Sequence, residues 1–303
     1  MTQSTTRRTA LVTGATGYIG SRLVQRLAAD GWDIHIIARP GSDLSLLGVA
    51  TASTTVHRHN GSTEGMLSIV AETRPSVVFH LASLFLAQHQ PENIEPLVRS
   101  NVLLGTQLAE AMVKNGVHYL VNTGTAWQHF EGAEYNPVCL YAATKQAFDD
   151  VLRFYTETTP LKVITLKLFD TYGPGDPRPK LFTLLRKTAQ EGKTLAMSPG
   201  EQLIDLVYID DVVAAFIAAA NRLMTDGTNN NEAFAVTSRS PIRLKDLVEI
   251  YCRTIGKTIP VEWGSRPYRP REVMVPWNTN KTLPVWKPVV GLEEGIRRME
   301  QPS

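Results

Sequence analysis

The most constraining feature of the sequence is the stretch from Leu11 to Gly20, where three glycines spaced three residues apart follow an apolar run. The apolar run predicts a buried strand. The residues after the glycines predict an amphipathic helix, with one face formed by Ile19, Leu23, Val24 and Leu27. A strand that turns through glycine into a helix presents unpaired N–H groups at the positive end of the helix dipole. A Cβ would block both the turn and the approach of a pyrophosphate. We therefore expect a dinucleotide-binding loop rather than an ordinary glycine-rich turn, with cofactor contacts from Gly14, Thr16, Gly17, Tyr18, Ile19 and Gly20.

Short apolar runs alternate with helical patterns through the first two thirds of the 303 residues. The patterns predict strands at 9–13, 33–38, 54–58, 76–81, 117–123 and 162–168, and helices at 18–30, 64–73, 93–114, 141–158 and 178–191. Such alternation is typical of an α/β fold, here a Rossmann-type doubly wound parallel sheet that binds ligands at the carboxyl ends of its strands. Beyond about residue 170, proline and glycine become frequent. We expect an NAD(P)-binding domain over 1–170 and a small, interleaved, mainly substrate-binding lobe over 171–303, with segments that return to the sheet.

The composition argues against several classes of function. A formal charge of +2 gives no broad field that would draw the chain onto nucleic acid or a membrane surface. Cys139 and Cys252 lie far apart and lack metal-like spacing, which argues against a disulfide framework. No apolar run approaches the ~18 residues of a membrane span. Met1–Thr9 leads straight into the first predicted strand, unlike a signal peptide. We expect a cytoplasmic protein without a metal site and without nucleic-acid or membrane partners.

The end of the second predicted strand indicates which dinucleotide binds. In an NAD-binding protein, a carboxylate about 20 residues after the glycines bonds the adenine-ribose hydroxyls. Here the acid is missing, and Arg39 stands beside the position. Its guanidinium can pair with a 2′-phosphate, and Ser42 could add a donor. The sequence therefore favours NADP(H) over NAD(H); the alternative is a solvated loop arginine with NAD as cofactor. Asn60, followed by Gly61, either contacts adenine or is a plain turn residue.

Tyr141 and Lys145 are the candidate catalytic pair. Residues four apart on a helix share one face. An ammonium near a phenol favours the phenolate, so we expect a lowered tyrosine pKa. Such a tyrosine can donate a proton to a carbonyl as hydride arrives, or remove one in the reverse direction. The spacing alone is common, but together with the upstream glycine stretch it indicates hydride-transfer chemistry.

Nearly the whole chain resembles the extended short-chain dehydrogenase/reductase family, which holds NAD(P)-dependent epimerases, dehydratases and reductases of sugar nucleotides. The segments that resemble its motifs are Thr13–Gly20 (TGxxGxxG), His80–Ser83 (HLAA), Asn101–Thr106 (NxxGT), Phe169–Pro174 (FNxYGP), Asp205–Val212 (RDFxxVDDV) and Leu292–Ile296 (terminal helix). The resemblance implies that Tyr141 is the proton donor or acceptor and that Lys145 also holds the nicotinamide ribose. Thr125 falls where the family orients the substrate carbonyl, with Thr123 as a rival.

The resemblance also implies further contacts and an assembly. Cofactor contacts are expected from Leu81, Ala82, Ser83, Asn101, Thr123 and Phe169. The expected homodimer is formed by the helices at 93–114 and 141–158.

Departures from the family pattern narrow the reaction. Dehydratases of the family carry Asp-Glu after the catalytic threonine, whereas Ala126 and Trp127 stand there and cannot move protons. Asp170 replaces the asparagine of FNxYGP, and Ile204 replaces the arginine before Asp205, which removes donors near the expected phosphates. The missing phosphate donors could be replaced by Arg178, Lys180, Arg269 or Arg271. The alternative is that these residues belong to a solvated basic loop. The expected substrate contacts are Phe85, Trp127, Asp170, Lys180, Arg269 and Glu272.

These patterns favour NADPH-dependent reduction of a keto group on a nucleoside-diphosphate deoxysugar, with Tyr141 as proton donor. The nearest resemblance within the family is to abequose- and paratose-type 4-ketoreductases. One alternative is a sugar-nucleotide epimerase with tightly bound NAD. Another is an NADPH-dependent reductase of a non-nucleotide carbonyl substrate. A non-catalytic NADP-binding protein of the same fold would be expected to lose Tyr141 and Lys145, and both are present.

Overall fold

A computed structural model describes residues 8–225 and 229–301. Its strands are β1 Thr9–Thr13, β2 Asp33–Ala38, β3 Thr54–Arg58, β4 Val77–His80, β5 Tyr119–Thr125, β6 Lys162–Leu168, β7 Asp170–Tyr172, β8 Leu195–Met197, β9 Leu203–Ile204, β10 Leu206–Tyr208, β11 Asn231–Val236, β12 Ile242–Arg243 and β13 Val261–Trp263. Its α-helices are α1 Tyr18–Ala29, α2 Thr63–Thr73, α3 Ile94–Val98, α4 Leu104–Lys114, α5 Leu140–Thr158, α6 Leu181–Glu191, α7 Ile209–Leu223, α8 Leu244–Ile255 and α9 Leu292–Glu300. The 3-10 turns are Ser45–Ser53, Pro91–Asn93, Ala126–Gln128 and Phe130–Gly132.

The main sheet has seven strands in the order β11-β6-β5-β4-β1-β2-β3. Strands β1, β2, β3, β4 and β5 pair in parallel with their neighbours, and β1 and β4 are almost wholly buried. The predicted Rossmann-type α/β fold is confirmed. From β1 the chain runs outward through β2 and β3 and then returns to β4 on the other side of β1. The carboxyl ends of β1 and β4 therefore form the switch point, where ligands bind in such sheets.

Several predicted elements have other bounds in the structure, such as the helix predicted at 178–191, which begins at Leu181, and two of the differences bear on the site. The fifth strand ends at Thr125 rather than at residue 123, so Thr125 is the last residue of the strand and does not follow it. The helix expected over 93–114 is interrupted by a π-helical turn, Arg99–Leu103, between α3 and α4. A π-turn accommodates one extra residue, which a search for regular 3.6-residue periodicity does not detect.

Helix α5 is held against α4 by a close contact with no room for a side chain. A Cβ on Gly105 would lie 2.5 Å from the ring of Phe148, which is fully buried. Phe148 belongs to an apolar cluster that also contains Leu11, Val78, Leu108, Met112, Leu152 and Val163. Burial of these side chains fixes the position of α5 and hence of the residues on its first two turns.

The chain forms two compact units, each built from three segments. Unit 1 comprises residues 1–125, 139–167 and 213–234, and unit 2 comprises 126–138, 168–212 and 235–303. Our boundary at residue 170 for the two domains remains a prediction, and the compact units additionally assign 126–138 to the second unit and 213–234 to the first.

Unit 2 contains three two-stranded sheets, β10-β7, β12-β9 and β13-β8. The buried carboxylate of Asp205 accepts hydrogen bonds from Thr237 Oγ1 at 2.5 Å and Ser238 N at 2.8 Å. The buried carboxylate of Asp211 accepts from the backbone N–H groups of Val289 and Val290. These bonds stabilise the irregular segments of the unit. In the described residues no helix is both long and apolar enough to cross a membrane.

Val285 provides a stability test within unit 2. Its φ of 59° lies in the left-handed region, which costs a β-branched residue about 1–3 kcal/mol. The side chain is fully exposed, so its removal loses no packing. We expect Val285→Gly to raise the free energy of unfolding by about 1 kcal/mol in urea denaturation, after allowing for the greater chain entropy of unfolded glycine.

Val289 is the matched control, since it is an exposed valine outside the left-handed region. We expect Val289→Gly to lower stability, because only the entropy of the unfolded chain changes unfavourably. A loss of stability in both variants would contradict the strain at Val285.

Candidate active site

The glycine turn between β1 and α1 packs directly against the chain that follows β4. Gly14 has a φ of +73°, and a Cβ there would lie 2.5 Å from the backbone nitrogen of Ala82 and 2.6 Å from the carbonyl carbon of Leu81. A Cβ on Gly20 would overlap the carbonyl oxygen of Gly14. Helix α1 begins after Gly17 with no side-chain cap. Its first N–H groups are therefore available to an anionic ligand.

Thr13 joins the carboxyl ends of β1 and β4. Its hydroxyl lies 2.8 Å from His80 Nδ1 and accepts from Ala82 N at 3.2 Å, while its carbonyl accepts from Leu81 N. His80 is fully buried, and desolvation together with the nearby Lys145 charge lowers the pKa of its imidazole to about 3. A neutral His80 is therefore part of the rigid base of the site.

Tyr141 lies in the first turn of α5 and is buried, with 9% of its surface exposed. The ring of Phe85 packs edge-on against it at a centroid distance of 5.0 Å. Burial raises the pKa of the Tyr141 phenol to about 12, although a hydrogen bond from Ser83 opposes the increase. Our prediction of a lowered pKa was wrong, because desolvation of the phenolate outweighs the lowering effect of the Ser83 hydrogen bond. At neutral pH the hydroxyl is protonated, as a proton donor must be.

Lys145, one turn further along α5, has an unusual environment. Its Nζ atom is buried and makes no hydrogen bond to any described residue. Burial lowers the pKa of the ammonium to about 8, and the charge of Asp149 opposes this decrease. Asp149 in turn accepts from Asn122 Nδ2 at 3.1 Å and lies 4.0 Å from Lys167 Nζ. A buried donor without a partner is costly unless a ligand satisfies it.

The two candidate threonines of β5 have different surroundings. The Thr123 hydroxyl donates to the carbonyl of His80 at 2.8 Å. Thr125 is the last residue of the strand and is buried. The Thr123 proton is thus used within the sheet, which counts against Thr123 as the contact for a substrate oxygen. Thr125 as that contact remains a prediction.

Asn101, predicted to contact the cofactor, is occupied within the protein. Its amide donates to Leu84 O and to Thr144 Oγ1 and accepts from Leu84 N. It thereby anchors the segment after β4 to α5. Asn60 accepts from Ser62 N at 2.9 Å and forms a side-chain turn, as in the turn alternative, and Gly61 beside it has a φ of +91°.

The residues at the start of the site fit a dinucleotide. The turn from Gly14 to Gly20 leaves space where Cβ atoms would otherwise stand, and the Lys145 ammonium has an unused set of donors. Arg39 is exposed at the end of β2. The set would hold a pyrophosphate at α1, a ribose at Lys145 and the adenosine end near β2.

The predicted substrate residues in unit 2 form pairs. The Arg269 guanidinium lies over the Trp127 ring and forms a bidentate ion pair with Glu272 at 2.7 and 2.9 Å. Lys180 Nζ lies 3.1 Å from the Asp170 carboxylate. A separate ring contact in this unit is the parallel stacking of Phe169 and Trp277 at a centroid distance of 6.5 Å.

Comparisons with known proteins agree with this geometry. The model of the NAD dependent epimerase/dehydratase family matches residues 10–234. The chain belongs to this family. A curated relative, CDP-abequose synthase of Salmonella muenchen, is 24% identical over 95% of this chain and 96% of the enzyme. UDP-glucose 4-epimerase of Mycolicibacterium smegmatis is 27% identical over 95% and 96%. The solved Thermus thermophilus UDP-glucose 4-epimerase, in complex with NAD, is 25% identical, with a TM-score of 0.81 over 96% of this chain and 97% of the other.

Family membership confirms the predicted resemblance and the prediction of an NAD(P)-dependent enzyme of the short-chain dehydrogenase/reductase type. The sequence did not reveal two neighbours of the catalytic pair. Ser83, which we predict at the cofactor, bonds the Tyr141 hydroxyl, and the charge of Asp149 acts on Lys145. Asp149 could have been found, because it continues the four-residue spacing of Tyr141 and Lys145 along α5. In the described part of the chain, no group of three or more His, Cys, Asp or Glu side chains is arranged to hold a metal ion.

The buried Lys145 ammonium predicts how stability depends on pH. The folded-state pKa of about 8 lies below the ordinary value of 10.5, so between these values the unfolded chain binds more protons. The free energy of unfolding should therefore rise with pH across this window. Lys145→Met removes the titrating group. Below pH 8 we expect the free energy of unfolding of the variant to exceed that of wild type by an amount on the order of 3 kcal/mol. This difference in stability should shrink as the pH rises toward 10.5.

Urea denaturation at a series of pH values measures this effect. The matched control is Lys114→Met, which removes an exposed lysine from the end of α4 and keeps the buried Lys145. A constant difference between wild type and Lys145→Met would show that Lys145 has an ordinary pKa.

Proposed function

We propose that this enzyme reduces a keto group on a nucleoside-diphosphate deoxysugar with NADPH. The observation that carries the proposal is the end of β2, where Arg39 is exposed and the carboxylate typical of NAD sites is missing. A free guanidinium favours a 2′-phosphate, and NADPH is the cofactor form suited to net reduction. The curated relative named for a CDP-linked sugar, CDP-abequose synthase, matches nearly the full chain and supports a nucleotide-sugar substrate.

In the proposed mechanism Tyr141 protonates the carbonyl oxygen. Its pKa of about 12 keeps the phenol protonated until the oxygen becomes basic. Thr125 orients the same oxygen with its hydroxyl. Lys145 stabilises the phenolate that remains after proton transfer, and Ser83 donates a hydrogen bond to it.

The cofactor would be held by the glycine turn at its pyrophosphate, by Lys145 at the nicotinamide ribose and by Arg39 at the adenosine end. When bound, the nicotinamide supplies the hydride for the carbonyl carbon. The Asp-Glu pair that would serve dehydration is replaced by Ala126 and Trp127, so Tyr141 is the proton carrier that we assign.

We assign the substrate diphosphate to Arg271. Three other candidate cations already have acids: Arg178 bonds Asp176, Lys180 bonds Asp170 and Arg269 bonds Glu272. Among the described residues, Arg271 pairs with no carboxylate. It stacks on the Phe130 ring at 4.2 Å and bonds the side chain of Asn136. Its charge is therefore available to an anion. We assign Phe85 and Trp127 to the sugar.

A sugar-nucleotide epimerase is the second candidate. It is favoured by the similarity to UDP-glucose 4-epimerases, one of them solved with NAD. The same Tyr141 and Lys145 would serve it, but NAD would stay bound and no net reduction would occur. Reduction of a non-nucleotide carbonyl compound is the third candidate, because Asp170 and Ile204 replace the family's polar donors.

Net oxidation of NADPH separates the reductases from the epimerase, and the substrate that is reduced separates the two reductases. We expect purified enzyme to oxidise NADPH in proportion to the alcohol formed from CDP- or dTDP-linked 4-keto-6-deoxyhexoses. Tyr141→Phe should lower kcat by about 100-fold or more with little change in KM, because the proton donor is lost. Tyr155→Phe is the control, since this hydroxyl on the same helix bonds Glu110 and has no role in the proposed site.

Two results would overturn the reductase. Enzyme that is purified with stoichiometric NAD and interconverts UDP-hexoses without consuming cofactor would be an epimerase. NADPH oxidation with simple ketones or aldehydes, but with no nucleotide keto-sugar, would identify a non-nucleotide reductase.

We also propose a homodimer formed by the helices α3, α4 and α5. Apolar side chains are exposed along them and on the π-helical turn between α3 and α4, namely Ile94, Val98, Leu103 and Phe154, with Phe154 at 61%. Burial of such side chains against a second copy would stabilise a dimer.

We expect Phe154→Asp to yield monomers in size-exclusion chromatography with light scattering. Val49→Asp is the control, because Val49 is 94% exposed in unit 1 outside these helices. A monomeric wild type would contradict the proposal.

A further inference from the structure

The chain leaves β2 through a tight, rigid turn, Arg39-Pro40-Gly41-Ser42. The N–H of Ser42 donates to the carbonyl of Arg39 at 3.1 Å, and Gly41 has a φ of +75°. Proline second and a positive-φ glycine third are the pattern of a type II turn. The pyrrolidine ring and the hydrogen bond restrict the backbone, so Arg39 leaves the sheet in a defined direction.

Arg58 reinforces this turn from the neighbouring strand. It is the last residue of β3 and lies opposite Ala38 in the parallel register. Its Nη1 atom donates to the carbonyl of Arg39 at 2.9 Å and to that of Ser42 at 3.4 Å. One guanidinium group therefore bonds the first and last carbonyls of the turn. Its other N–H groups remain, because Arg has five donors.

The two guanidinium groups create a local excess of positive charge. Both Arg39 and Arg58 are exposed, and neither forms an ion pair with any carboxylate in the part of the chain that the structure describes. Asp43, the nearest acid on the loop, is bonded to the N–H and hydroxyl of Ser45 at 2.9 and 2.7 Å. The ends of adjacent parallel strands lie about 5 Å apart, and Arg58 Nη1 reaches the carbonyl of Arg39 itself. Two exposed arginines that leave neighbouring strand ends without a carboxylate partner give this place an excess of positive charge, which an anionic group would offset.

We propose that Arg58 is a cofactor-specificity residue that forms, with Arg39, a two-arginine clamp for the 2′-phosphate of NADP(H). The clamp rests on the proposed preference for NADP(H) and extends it to a second residue on a different strand. Arg58 contributes in two ways: it holds the turn that directs Arg39, and it presents its own planar donors to the phosphate. Because the turn is already ordered, little entropy is lost when the anion binds.

The clamp can be tested without any sugar substrate or turnover. The probes are adenosine 2′,5′-bisphosphate and adenosine 5′-monophosphate, which differ only in the 2′-phosphate, and binding is measured by calorimetry. We expect wild type to bind the bisphosphate at least about tenfold more tightly, and the preference to weaken as salt increases. Arg58→Gln should lower bisphosphate affinity about tenfold and leave monophosphate affinity unchanged. Arg58→Lys keeps the positive charge but loses the planar pair of N–H donors, so its affinity for the bisphosphate should lie between those of wild type and Arg58→Gln.

The control variant is Lys114→Gln, which removes one positive charge from the C-terminal end of α4. Crossover helices run antiparallel to the strands, so the C-terminal end of α4 lies at the amino ends of the strands, away from Arg39 and Arg58. Both nucleotide affinities should remain at wild-type values. Thermal midpoints without ligand show whether each variant is folded.

The outcomes separate the clamp from the proposed function. Suppose that wild type prefers the bisphosphate and that Arg58→Gln keeps this preference, or lowers the affinity for both nucleotides equally. The role of Arg58 is then overturned, while the NADP(H) preference stands. If wild type binds the two nucleotides equally, the cofactor preference and the clamp both fail. Failure to reduce nucleotide keto-sugars would overturn only the substrate assignment, because the binding measurement involves no sugar.

Discussion

The absence of a side chain at Gly14 is the constraint on which the rest of the site depends. The backbone after β4 passes so close that any Cβ would displace Leu81 or Ala82. This approach lets Thr13 bond to both His80 and Ala82, and it brings the first turn of α1 beside the end of the neighbouring strand. The N-terminus of α1, where an anion would bind, and the residues that follow β4 therefore lie together at the carboxyl ends of the strands without any bound ligand.

Burial then sets the chemistry of α5. The same packing that excludes water from Tyr141 and Lys145 disfavours a phenolate at one position and an ammonium at the other. Both effects favour the uncharged form of the side chain. The tyrosine therefore keeps its proton, whereas the lysine loses its proton more readily. Asp149 limits the second effect, and Ser83 limits the first. The pKa values of the candidate catalytic pair are therefore set by the balance between desolvation and a few neighbouring groups.

Periodicity and glycine spacing predicted most of the fold, because both are local properties of the sequence, and they indicated Tyr141 and Lys145 as the candidate catalytic pair. The strands at 9–13, 33–38 and 54–58 are observed with the predicted bounds. Properties that depend on packing between distant segments were less accessible. The pKa of Tyr141 was predicted in the wrong direction because burial cannot be judged from spacing. The sequence also did not predict the ion pair of Lys180 with Asp170, because the motifs indicate both residues only as substrate contacts.

The alternation of segments between the units has a consequence for biosynthesis. Unit 1 includes residues 213–234, and β11, which begins at Asn231, is the edge strand beside β6. A ribosome must therefore translate two of the three segments of unit 2 before the N-terminal sheet is complete. During that interval β6 has an unpaired edge, which is the kind of surface that promotes misassociation of nascent chains. The interleaved order of the chain thus makes completion of unit 1 a late event in synthesis.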